Sequence, residues 1–218
     1  MNSQRKMLKI ATSTLINLLR KYPMSEQLIL ASASSYKKSL LERLGIQFTC
    51  VSADINETPL PCELPAQLVM RLSEQKALAI ATLNIDSWVI GADQVGSLEN
   101  KILEKPGNYE NAYQQLQFQS GKSVYFHCGV TLAKQSSNGK ITKITKMSTT
   151  EVIFRQLSDT DIKAYLEKEQ PYDCAGSFKS EGLGISLFDQ VKSNDPTCLI
   201  GLPLILLRNM LSKQGINI

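Results

Sequence analysis

The sequence predicts an α/β fold built on a mixed sheet. Short apolar runs alternate with helical patterns over the first half of the chain, and a long antiparallel pair interrupts that alternation in the middle. Parallel neighbours need crossover connections and antiparallel ones need only a turn, so the two kinds of connection imply both kinds of pairing. With 218 residues, 43% of them hydrophobic and 20% charged, the chain can bury a sizeable core and has the make-up of an ordinary globular domain.

The first run, Gln27 to Ala31, reads as a buried strand that ends in the polar turn Ser32-Ala33-Ser34-Ser35. A helix from Tyr36 to Leu44 follows, with Leu40, Leu41 and Leu44 at helical spacing and Gly45 as its stop. Ile46 to Ser52 reads as a second strand leading into a carboxylate-bearing loop, Asp54 to Pro59. Pro65 suits the first turn of a longer helix reaching about Leu83, with Leu68, Val69, Leu72 and Ala79 on its buried face. Trp88 to Gly91 is the next strand, expected to deliver Asp93 and Gln94 at its C-terminal end. Val95 to Leu103 reads as a hairpin and Lys105-Pro106 as a turn. Asn108 then caps a helix with Tyr109, Ala112, Tyr113 and Leu116 inward and Gly121 at its end. The clearest hairpin runs from Val124 to Phe154 about Ser136-Ser137-Asn138-Gly139. Ser158 and Asp161 stand as a capping box for a helix that Pro171 closes. A strand from Gly184 to Phe188, a polar loop to Thr197 and a helix holding Leu204, Leu207 and Leu211 complete the order.

The net charge of +4 is local. Arg5, Lys6, Lys9, Arg20 and Lys21 precede the first acidic residue, so of 24 basic residues the rest of the chain keeps 19, against 20 acidic. No basic excess remains to grip a nucleic-acid backbone. Residues 1–24, with an apolar stretch from Ile10 to Leu19 broken by polar residues, read as an N-terminal extension or leader, and residues 25–218 as the folded domain. No uninterrupted apolar run approaches the ~20 residues a bilayer span needs, so no membrane partner is expected. Five cysteines without a CxxC pair read as reduced thiols, which fits a cytoplasmic protein. The lone histidine, His127, lies in the strand-like run Val124 to Cys128 and reads as structural, and it excludes a multi-histidine metal site.

Chemistry-bearing residues gather at the loops. Ser32, Ser34, Lys37 and Lys38 lie between a strand and a helix, where hydroxyls, free N–H groups and a positive helix end suit either a helix cap or a phosphate. Glu57 and Asp93 offer oxygen ligands for a hydrated Mg²⁺ or Mn²⁺, which binds through one or two carboxylates and substrate phosphate. Lys76 and Lys105 read as surface lysines or as cationic partners for a triphosphate, and Glu181 as a surface ion pair or an acceptor for guanine N–H groups. A cleft is expected where the loop after the first strand meets the segment after Ile90.

The strings Leu28-Ile29-Leu30-Ala31-Ser32-Ala33-Ser34, Asp54-Ile55-Asn56-Glu57-Thr58, Arg71 to Ala77, Ile90-Gly91-Ala92-Asp93-Gln94-Val95 and Lys105-Pro106 resemble the Maf family of nucleotide pyrophosphatases in order and spacing. So do Cys174 to Gly182 and Gly201-Leu202-Pro203-Leu204. The resemblance implies an elongated mixed sheet flanked by helices, two lobes around a central cleft as in the inosine triphosphate pyrophosphatases, and a homodimer. It further implies a nucleoside triphosphate substrate, a divalent metal, and Asp93 as proton acceptor, with Glu57, Lys76 and Lys105 beside it. Tyr36, Gln94 and Glu181 occupy specificity positions as in the branch that hydrolyses 7-methyl-GTP in the clearance of modified nucleotides. A dTTP/UTP pyrophosphatase of the same family, or a non-catalytic nucleotide-binding regulator of cell division, are the alternative expectations. The family pattern usually has a proline and arginine in the segment where this chain has Ser34-Ser35-Tyr36-Lys37-Lys38; lysine keeps the charge and loses the guanidinium fork.

Overall fold

The computed structural model describes residues 27–218; the expected leader, residues 1–24, lies outside the described residues. Seven strands form one sheet: β1 (Leu28–Leu30), β2 (Thr49–Cys50), β3 (Trp88–Leu98), β4 (Lys101–Leu103), β5 (Ser123–Gln135), β6 (Ile141–Phe154) and β7 (Phe188–Ser193). They lie in the order β2-β1-β3-β5-β6-β7, with β4 on β3. β1 runs parallel to both neighbours and every other pairing is antiparallel, so the sheet is mixed. The helices are α1 (Ser35–Glu42), α2 (Pro65–Ala81), α3 (Tyr109–Gln119), α4 (Asp159–Glu169) and α5 (Leu204–Ser212).

Local chemistry sets the helix ends. Ser34 caps α1, its side chain accepting from the Lys37 N–H, and Asn108 caps α3 through the Asn111 N–H. The Ser158–Asp161 capping box at α4 is made in full, and Pro65 opens α2 where a missing N–H costs nothing. The elongated sheet has a core at each end: Leu30, Leu41, Ile90, Leu202 and Leu207 among others at one, Leu116, Phe126, Phe154, Leu166 and Phe178 at the other. Four phenylalanines of the second core, Phe126, Phe154, Phe178 and Phe188, meet edge to face at 4.9–5.7 Å between centroids.

Three expectations change. The second strand shrinks to Thr49–Cys50, both exposed at the sheet edge. The segment Leu183–Leu187 winds as a 3₁₀ helix, and the strand comes one step later, in Phe188–Ser193, which the sequence reads as loop because four of its six residues are exposed. Above all, β3 does not stop at Gly91. It continues to Leu98 against β5, so Asp93 and Gln94 sit in mid-strand rather than at its C-terminal end. The ladder partner supplied by β5 holds a polar Asp-Gln pair in strand geometry that its own composition does not announce.

Candidate active site

The site follows from a gap in the sheet. β1 pairs with Trp88, Val89 and Ile90 and then turns away, whereas β4 pairs with Gly96, Ser97 and Leu98. Between them, Gly91 to Val95 are laddered to β5 on one side and to no strand on the other. A cleft of about 880 Å³ lies against this open edge, walled by the Ser32–Lys37 turn, the Glu57 loop, Lys76, Lys105 and the Asp173–Glu181 segment. Successive strand side chains face opposite sides, yet at an open edge both Asp93 and Gln94 reach the cleft.

Asp93 is buried at the cleft, 7% exposed. Its Oδ1 accepts from Lys76 Nζ at 2.6 Å, and the same ammonium lies 2.9 Å from Glu57 Oε1. Burial pushes the Asp93 carboxyl above its ordinary value and Glu57 adds to that, while Lys76 and Lys37 oppose both. Burial alone would lower Lys76; the carboxylates of Asp93 and Glu57 outweigh it and hold the ammonium above its usual range. Lys37 is shifted the other way, depressed by burial and by the neighbouring Lys76 and Lys105, against the pull of Asp93. Burial and two lysines thus act on the Asp93 carboxyl in opposite directions.

Two sequence-predicted residues separate sharply. Lys37 lines the cleft, and Lys38, one residue and about 100° further round α1, does not. Lys38 lies on the outer face, 3.8 Å from Glu42, with both side chains more than half exposed. The fold thus brings Lys37, and not Lys38, to the cleft. Ser32 and Ser34 do line the cleft, and each hydroxyl oxygen accepts a main-chain N–H, from Ser34 and Lys37 respectively, which leaves their O–H groups free to donate. Lys105 is an exposed residue of the wall.

The cleft is also lined by Tyr36, Glu181 and, unassigned in the sequence, Asp173, Cys174 and Lys179. Burial, and then Cys174, Asp173 and Glu181, hold the Tyr36 phenol above its ordinary value, so it presents a neutral ring. Gln94 spends both amide N–H groups on the carbonyls of Cys198 and Leu199, each at 2.9 Å, so its own carbonyl is the group left for a ligand. His127 is structural: Nδ1 lies 3.0 Å from Thr149 Oγ1, Nε2 lies 3.4 Å from Ser97 Oγ, and burial keeps the ring neutral.

The donor set fits a hard divalent cation. Glu57 and Asp93 converge on one ammonium, showing that both carboxylates reach a common cationic centre, and each has a second oxygen. Among the described residues no group of three or more His, Cys, Asp or Glu stands together, so a cation held by these two carboxylates would draw the rest of its ligands from water and phosphate. The Arg71–Glu63 pair carries no local signal in the sequence, since its partners stand eight residues apart, outside helical spacing.

A 7-methyl-GTP pyrophosphatase of Bordetella pertussis is 46% identical over 191 residues, covering 88% of this chain and 94% of its own. Proteins of the same name from Nitrosococcus oceani and Thiobacillus denitrificans are 45% and 46% identical, over 88% and 89% of this chain and 96% and 95% of theirs. Among solved structures, the Ham1 protein of Staphylococcus aureus shares 12% identity, with a TM-score of 0.47 across 86% of this chain and 99% of that one. The family model described as Maf-like protein matches residues 27–214, which includes every group placed in the cleft above. The chain belongs to the Maf family.

Proposed function

We propose that this protein is a nucleoside triphosphate pyrophosphatase that hydrolyses 7-methyl-GTP to 7-methyl-GMP and diphosphate. One observation carries the reading: the buried Asp93 carboxylate, bonded to Lys76 and facing Lys37, lies in a single cleft with Tyr36, Gln94 and Glu181. The relatives' names point to the same substrate.

The triphosphate lies along the Ser32–Lys37 turn and Lys105, whose charges and O–H groups offset its negative charge, the main demand of phosphoryl chemistry. Asp93 accepts the proton of the attacking water; its raised affinity for that proton makes it a better base than an exposed carboxylate. Lys76 holds Asp93 and Glu57 in register. Glu57 and Asp93 would hold Mg²⁺ or Mn²⁺, which when bound would supply polarisation of a phosphoryl oxygen. The methylated guanine is a cation, which favours the Tyr36 ring and the carboxylates of Glu181 and Asp173 beside it.

The test is pyrophosphate release from 7-methyl-GTP, GTP, UTP and dTTP with Mg²⁺, in wild type and Tyr36→Ala. The expected result is preference for 7-methyl-GTP over GTP, narrowed by about 3- to 30-fold in the variant, the worth of one cation–π contact. A preference for UTP or dTTP would overturn the base assignment, and tight binding without turnover would favour the regulator.

A further inference from the structure

Glu57 sits on a loop held from within by little more than the Thr58 N–H, which donates to Asn56 Oδ1 at 2.9 Å. Among the described residues, no main-chain group from Ser52 to Pro59 bonds to another main-chain group, and Glu57, Thr58, Pro59 and Leu60 are all exposed. The apolar tethers, Ala53 and Ile55, are only partly buried against the α2 side of the core and lie before Glu57. Yet a carboxylate that must meet Lys76 at 2.9 Å needs a fixed backbone.

α2 supplies the fixing from its own surface. Arg71 donates from Nη2 to the main-chain carbonyl of Thr58 at 3.1 Å, the residue next to Glu57. The guanidinium is itself held on three further sides. Nε donates to Glu63 Oε1 at 2.6 Å, Nη2 to Glu63 Oε2 at 2.7 Å, and Nη1 to Gln75 Oε1 at 3.1 Å. Glu63 Oε2 also accepts the Leu60 N–H at 3.0 Å, closing the loop from its far end. The side chains of Arg71 and Glu63 are 20% and 7% exposed, so this is not a solvated surface pair. Arg71 and Lys76, five residues apart on one helix, therefore take hold of two adjacent loop residues.

We infer that Arg71, clamped by Glu63, is a positioning residue that sets the Glu57 carboxylate at the reacting centre through the Thr58 carbonyl. It touches no substrate and acts through Glu57, so the inference rests on the role of Glu57 in the proposed hydrolysis. A lysine keeps the charge and loses the fork that holds Glu63 and Thr58 together, so Arg71→Lys does not restore the function.

A double-mutant cycle tests it: Arg71→Gln, Glu57→Gln and the pair, each read as kcat and KM for 7-methyl-GTP with Mg²⁺, with folding checked by thermal denaturation. Arg71→Gln is expected to lower kcat about tenfold or more while KM moves little, and to do less than about twofold in the Glu57→Gln background. An equal loss in both backgrounds overturns the inference while leaving the role of Glu57 intact. A Glu57→Gln enzyme of wild-type activity overturns that role and the inference with it. If Arg71→Gln fails to fold, Glu63→Gln takes its place in the cycle. A readout without turnover is hydrogen exchange over residues 52–64, expected to quicken in either variant; unchanged exchange overturns the clamp.

Discussion

Lys37 and Lys38 are neighbours in sequence and opposites in setting. The first turn of α1 turns Lys37 into the cleft and leaves Lys38 beside Glu42 in solvent. Lys37→Ala is expected to cut kcat/KM about 100-fold, the scale of losing a preorganised cationic partner of the phosphates, whereas Lys38→Ala should change it less than about twofold. Steady-state kinetics on the two variants decides between them. Both lysines were legible as charge between a strand and a helix; which of them matters was not, because the boundary of α1 sets its face. A second residue-level expectation concerns acid. Arg71 bonded to Glu63 holds that carboxyl at about 2, below its ordinary 4.5, outweighing the effect of burial. A carboxylate depressed in the folded state contributes stability above its unfolded value and loses it as pH falls toward the folded one. The Tm advantage of wild type over Glu63→Gln should therefore hold at pH 6 and shrink steadily between about pH 4.5 and 2, which thermal melts across that range will show.

The packing of α2 across β3 and β5 brings Lys76 to Asp93, and two glycines permit it. A Cβ on Gly91 would lie 2.1 Å from the Ser73 carbonyl and 2.6 Å from the Ala77 nitrogen; one on Gly129 would lie 2.4 Å from the Val69 carbonyl. These contacts are with main chain, so the helix itself must lift. Gly91→Ala should cost about 1–3 kcal/mol or more in stability by overpacking, and because Lys76 moves with the helix, kcat should fall in the protein that still folds. Denaturant unfolding beside kinetics checks both effects. At this scale much was written locally: Pro65, Asn108 and the Ser158–Asp161 box announce their helices, and Ser136 to Gly139 announces its hairpin. What was not local was not legible. The run of β3 through Asp93 depends on pairing with β5, and β7 is an exposed edge strand whose form comes from pairing with β6.

In the whole molecule, a long mixed sheet carries a core at each end and the cleft lies along the edge of its third strand, between β1 and β4. The ordered motifs from Leu28 to Leu204 were readable as a set, and the cleft gathers nearly all the groups they contain. The parts played by Arg71 and Lys179, which lie inside those motifs, and by Asp173, just before one, were not, since they come from what the fold sets beside them. In the proposed reaction Asp93 takes the proton in a hydrolysis that splits the substrate between its α- and β-phosphates. The most direct measurement follows both products from 7-methyl-GTP with Mg²⁺, in wild type and in folded Asp93→Asn. Equal amounts of 7-methyl-GMP and diphosphate are expected from wild type, and a kcat about 10²- to 10⁴-fold lower in the variant. Release of orthophosphate in place of diphosphate, or near-normal turnover by Asp93→Asn, would contradict the proposed reaction.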